Sequence, residues 1–74
     1  MILVDLPIGT LAVIQQVNAE PELYKRLYAL GLRPGGKIEV IRRAMFSGPL
    51  HIRVGTTDLV LRKNLAECVI VEVL

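Results

Sequence analysis

EPELYKRLYALGLRPGGKIEV (Glu20–Val40) holds in one passage a helix, its stop and the turn that sends the chain into a strand. Pro21 suits the first helical position, where its missing N–H would have no partner anyway, and Glu20 before it is biased toward extended geometry. Leu23, Leu27 and Leu30 fall at i, i+4 and i+7 and form one apolar stripe, flanked by Tyr24 and Tyr28, with Lys25 and Arg26 turned outward. A helix of about ten residues is shorter than the ~12 to 15 that an isolated helix needs, so this one must pack on the rest of the chain. Gly31 is placed to end it in the left-handed conformation, with Leu32 folding back on Leu27. Arg33-Pro34-Gly35-Gly36 reads as a type II turn, since proline presets the first central φ and glycine permits a positive second one.

Outward from this passage the chain reads as strands. Leu11 to Val17, rich in Val and Ile, is the first, and adjacent Val13 and Ile14 predict a bulge or face switch. In the second, Ile38, Val40 and Arg42 alternate with Lys37, Glu39, Ile41 and Arg43; in the third, Leu50, Ile52 and Val54 alternate with His51 and Arg53. Gly55-Thr56 predicts a two-residue II′ hairpin into a fourth strand with Leu59 and Leu61 inward. Lys63 to Cys68 contains a single helical turn, and Val69, Val71 and Val73 share one face of a fifth strand. Five short strands with a helix between the first two predict a mainly β, single-domain chain over residues 1–74, an SH3-like barrel whose closure would remove exposed sheet edges.

Length limits what can hold this barrel together. Below ~70 to 80 residues a single core rarely supplies more than ~3 to 5 kcal/mol without staples, and this chain has 74. One Cys and one His exclude both an internal disulfide and a four-ligand zinc site built from those residues. Stability must therefore come from aliphatic packing or self-association, because 53% of residues are hydrophobic and only 4% aromatic. Met1 to Pro7 has no basic region, and its apolar run breaks at Asp5, which fits neither a signal peptide nor a membrane span; a cytoplasmic location and no membrane insertion are expected.

With these residues placed, the chain resembles the ferrous iron transport protein A (FeoA) family along nearly its whole length. The resemblance rests on Leu3, Leu6, Gly9 and Ile14, on Leu27, Leu30, Gly31, Leu32, Pro34, Gly35 and Ile38, and later on Gly48-Pro49, Ile52, Leu61-Arg62, Ala66, Val69 and Val71. It is also similar to the carboxy-terminal SH3-like domain of iron-dependent repressors. The resemblance implies an accessory protein of ferrous iron uptake that binds the membrane transporter carrying a GTPase domain and does not catalyse. A stand-alone regulatory SH3-like domain in metal-dependent transcription is the alternative, and an RNA-binding barrel a third.

The residue inventory points the same way. One Ser, one Cys, one His and two Asp cannot readily supply a nucleophile with its base and orienting partner, and Gly35-Gly36-Lys37 lacks the spacing of a phosphate loop. No metal site and no cofactor are expected: His51 reads as a solvated sheet residue and Cys68 as a small half-buried one. Arg43, His51, Arg53 and Arg62 are expected to face outward on consecutive strands, as a solvated face or a contact for an acidic partner. No aromatic side chain is interleaved among them, so nucleic acid is not the expected partner. Met45 and Phe46 sit in a loop between two strands, where they either fold over an open barrel end or anchor another protein. Homo-oligomerisation is expected from the high apolar fraction together with this loop.

Overall fold

The expected alternations resolve into elements in the computed structural model, which describes residues 1–74. In chain order they are a 3₁₀ turn at Leu3–Asp5, β1 (Ala12–Val17), α1 (Pro21–Ala29), β2 (Lys37–Arg43), β3 (Leu50–Val54), β4 (Thr57–Leu61), α2 (Lys63–Ala66) and β5 (Val69–Val73). The strands form one antiparallel sheet in the order β4-β3-β2-β1-β5. The arrangement is the expected mainly β one with a helix between the first two strands.

Closure is where the expectation needs correcting, because β4 and β5 do not pair with each other and the rolled sheet stays open. The free edge of β5 is already taken. Ile2 bridges to Ile70, the Val71 N–H donates to the Met1 carbonyl at 2.8 Å, and the Met1 amine donates to the Val71 carbonyl at 3.0 Å. α2 links β4 to β5 in the chain.

Local chemistry sets the ends of α1. The Glu20 carboxylate accepts from the Leu23 N–H at 3.3 Å, capping the start. At the exit the Leu32 N–H donates to the Leu27 carbonyl at 2.9 Å and the Gly31 N–H to that of Tyr28 at 3.0 Å, the paired bonds of a Schellman cap, with Gly31 at φ +101°. Gly36 N–H closes the following turn on the Arg33 carbonyl at 3.1 Å, with the positive φ at Gly35 that type II requires. The β3–β4 turn has a positive φ at Gly55 and none at Thr56, which makes it type II′.

Sixteen residues are buried, all apolar and none aromatic, and no polar side chain is buried with them. Leu3, Leu6, Ile14, Leu27, Leu32, Ile38, Ile52 and Val71 are among the most enclosed. Two stripe expectations shift. Leu30 is 48% exposed rather than inward, because it is the helix C-cap and the reversal at Gly31 delivers Leu32, at 0%, to the core in its place; Leu23 and Tyr24 complete the inner face. Val73 is half exposed because it lies opposite Ala12, where β1 itself begins. The β1 bulge falls between Ile14 and Gln16, one step beyond Val13, which pairs regularly with Glu72 and Lys37. A second bulge, between Val40 and Arg42, was not legible in the alternation.

Gly31→Ala tests the cap. An added Cβ would meet only the Val54 Cγ1 at 3.5 Å, an ordinary contact, so the cost comes from the left-handed backbone. The expected loss is about 1–2 kcal/mol of unfolding free energy in urea denaturation.

Candidate docking face

The bulge at Ile41 decides which arginines reach solvent. It sets Arg42 opposite His51 and Arg43 opposite Leu50, so Arg43 turns away from the outer face on which the alternation placed it. Its guanidinium donates to the carbonyls of Val4 and Leu6, strapping the amino-terminal segment to the end of β2. Arg42 takes the outward place instead and is exposed.

Arg53 does lie on the outer face, where Glu39 of β2 and Asp58 of β4 stand opposite it. Its Nε donates to Asp58 Oδ1 at 2.7 Å and a terminal nitrogen donates to Oδ2 at 3.2 Å, while His51 Nε2 sits 2.9 Å from the same Oδ2. Arg53 first and His51 second thus hold the Asp58 carboxyl down to about 2, and Asp58 in turn raises the Arg53 guanidinium. Glu39 and Asp58 leave little free positive charge at Arg53. Arg62 is exposed at the start of α2 and has no carboxylate within ion-pair distance.

The β2–β3 loop presents the most exposed large apolar side chains. Phe46 is 93% exposed and Met45 77%, so neither folds over the open end of the sheet. The Gly48 N–H donates to the Met45 carbonyl at 3.2 Å, with positive φ at both Phe46 and Ser47 (57° and 60°). These are the features of a type I′ hairpin turn, which ordinarily uses Asn-Gly because both central residues are left-handed. Here Phe and Ser occupy those positions, at a strain of order 1–3 kcal/mol each. Gly48 is required by close approach: a Cβ there would lie 2.7 Å from that of Ala44. The turn bond and the Ala44 N–H to Pro49 carbonyl bond at 3.0 Å close the loop that displays Phe46 in solvent.

At the foot of this loop lies a cleft of about 230 Å³ bounded by Arg42, Ala44, Pro49, His51 and Val60. A larger open cleft of about 580 Å³ separates the helix exit from the β3–β4 turn, with Arg33, Pro34, Gly35, Lys37, Gly55 and Thr56 on its walls. Sequence reasoning accounted for these residues by turns and, at Lys37, by a strand start, and missed that together they leave a cleft. Arg33 is fixed there by stacking over the Tyr28 ring, 4.8 Å from its centroid. No three His, Cys, Asp or Glu side chains gather; Cys68 is half-buried with its Sγ 3.6 Å from the Asn64 carbonyl. No helix is long and apolar enough to cross a membrane.

A five-stranded roll with one short helix and apolar side chains displayed on a hairpin loop places the chain among small SH3-like domains. The FeoA domain matches residues 1–73, and the chain belongs to that family. Iron(II) transport protein A from Clostridium thermocellum is 32% identical with a TM-score of 0.94, over 100% of this chain and 46% of that one, so this chain spans about half of that relative's length. FeoA from Stenotrophomonas maltophilia, solved in complex with zinc, is 32% identical with a TM-score of 0.83, covering 97% of this chain and 89% of that one. That protein is described as a prokaryotic SH3 domain protein with a suggested role as a ferrous iron transport activating factor. A manganese-dependent transcriptional repressor shares the fold at 17% identity, with a TM-score of 0.89 over 100% of this chain and 41% of that one. No match was found among curated protein sequences. The FeoA family is one of small accessory or SH3-like domains and is not a known enzyme family.

Two measurements test the geometry. Arg43→Ala leaves the Val4 and Leu6 carbonyls without their donor and is expected to lower stability by about 1–3 kcal/mol in urea denaturation. Because the Asp58 carboxyl is depressed, its contribution is fully present above the ordinary value of 3.8 and is lost as pH falls toward about 2. Asp58→Asn should flatten the stability profile across that interval.

Proposed function

We propose that this chain is a cytosolic accessory protein of ferrous iron uptake that acts by docking on the GTPase-containing membrane transporter. Family membership supports the link to ferrous transport. The observation that carries the docking mode is the β2–β3 turn, where a strained primed conformation holds Phe46 almost wholly in solvent with Met45 beside it. Strain of this kind opposes folding, and an anchor for another protein is what it obtains in return. Arg42, Arg53 and Arg62 are the exposed cations available to acidic groups around that anchor, with Arg53 the least available because Asp58 and Glu39 already face it. Arg43 serves indirectly by fixing the end of β2 from which the loop departs. The chain itself holds no resident metal in this reading, and iron is the transporter's cargo.

Pull-down and titration against the transporter's soluble GTPase region test the proposal with Phe46→Asn. Asparagine tolerates the left-handed backbone, so stability should hold or rise while affinity falls by more than ~1 kcal/mol. Unchanged affinity with lost stability would remove Phe46 from the interface.

A further inference from the structure

Of the two edge strands, β5 is covered by Ile2 and Met1 and β4 is not. In the two-residue hairpin Thr57, Leu59 and Leu61 stand opposite Val54, Ile52 and Leu50 and exchange backbone bonds with them. Alternation then turns the backbone groups of Asp58 and Val60, and the N–H of Arg62, away from β3 toward solvent. The side chains of these three residues share the outer face. Val60 is 74% exposed there, the largest apolar exposure on any strand.

The spacing of the three is self-complementary under a two-fold axis. When β4 of one copy runs antiparallel to β4 of another with Val60 opposite Val60, Asp58 of each copy lies opposite Arg62 of the other. Arg62 remains extended, at φ −62° and ψ 147°, so it continues the line of β4 before α2 turns the chain away. Its own carbonyl accepts from Leu65 and Ala66, but its N–H is free to donate to the Asp58 carbonyl of the second copy. The two Val60 residues exchange a further pair of backbone bonds at the axis. In charge terms, Arg62 brings a cation without a carboxylate, and Asp58, after its contacts with Arg53 and His51, keeps an unused acceptor direction. Sliding the strands by two residues sets Val60 opposite either Asp58 or Arg62 and leaves the other charge opposite Thr56 or Asn64, so the charges select the first register.

We infer that the β4 edge is a self-pairing surface, through which two copies of this chain join their sheets into one continuous antiparallel sheet with Val60 at the two-fold axis. The contact is short and belongs with weak, reversible interfaces rather than obligate ones. It leaves the loop at Met45 and Phe46 free but takes up Arg62 and Val60, which also lie on the docking face, so dimer and docked complex compete for them.

Sedimentation equilibrium over a range of concentrations, with amide hydrogen exchange on the ¹⁵N-labelled chain, tests the surface. The expected result is a monomer–dimer equilibrium in which the Val60 and Arg62 amides gain protection as concentration rises. Val60→Lys places like charges at the axis and Arg62→Asp sets carboxylate against carboxylate; each should raise the dissociation constant roughly tenfold or more. Both positions are exposed, and unaltered far-UV circular dichroism and thermal midpoint at low concentration show that the monomer is intact. A monomer mass at every concentration overturns the inference. So does a dimer whose Val60 amide stays unprotected and which neither variant weakens, and so does protection of that amide only when an extended segment of the transporter is added.

Discussion

Ile14 gives both of its backbone groups to the turn that follows the helix, its carbonyl accepting from the Gly35 N–H at 2.8 Å and its N–H donating to the Gly36 carbonyl at 2.9 Å. These two bonds continue the β1–β2 ladder beyond the Val13–Lys37 pair and lock the helix exit onto the centre of the sheet. Everything that α1 buries depends on this junction. The helix has nine residues, too few to persist alone, and it is held at one end by the Schellman cap and through that cap by Ile14. The side chain of Ile14, 1% exposed, meanwhile lies in the core that Leu27 and Leu32 complete. Backbone and side chain of one residue thus connect the helix, the turn and the strand pair.

The sheet that this junction anchors is unevenly finished. On the β5 side the amino-terminal segment supplies hydrogen bonds, and the Arg43 guanidinium ties the same segment to β2. A single segment therefore covers an edge and restrains the end of the loop that carries Phe46. The β4 side has no such cover, only the charged pair of Asp58 and Arg53. Charged groups on an edge are a usual defence against indiscriminate pairing, and here they also limit which register an incoming strand can adopt.

Much of this was legible in the sequence wherever one or two residues dictate backbone geometry. Pro21, Gly31, Pro34-Gly35 and Gly55 mark the helix start, its stop and two turns, because the φ values involved are open to few other residues. Alternation located all five strands. It failed at Ile41, where one bulged residue reverses the faces of Arg42 and Arg43; a bulge depends on the partner strand and leaves no mark in its own composition. Leu30 misled for a related reason, since its spacing fits the stripe but the chain unwinds at that turn and lets Leu32 take the buried place. The primed turn at Phe46-Ser47 was hidden by its residues, which are not those such turns favour, and only the exposed apolar pair drew notice to the loop.

The aliphatic core has a further consequence for how the molecule reports on itself. With no Trp, with Phe46 in water and with Tyr28 half exposed beneath Arg33, Tyr24 is the aromatic ring that reaches the buried cluster. Ultraviolet spectroscopy therefore watches α1 settle on the sheet and is nearly blind to the packing of the strands. Those strands are written instead in methyl groups, and the order of the interior is a property to be read by methyl resonances rather than by light.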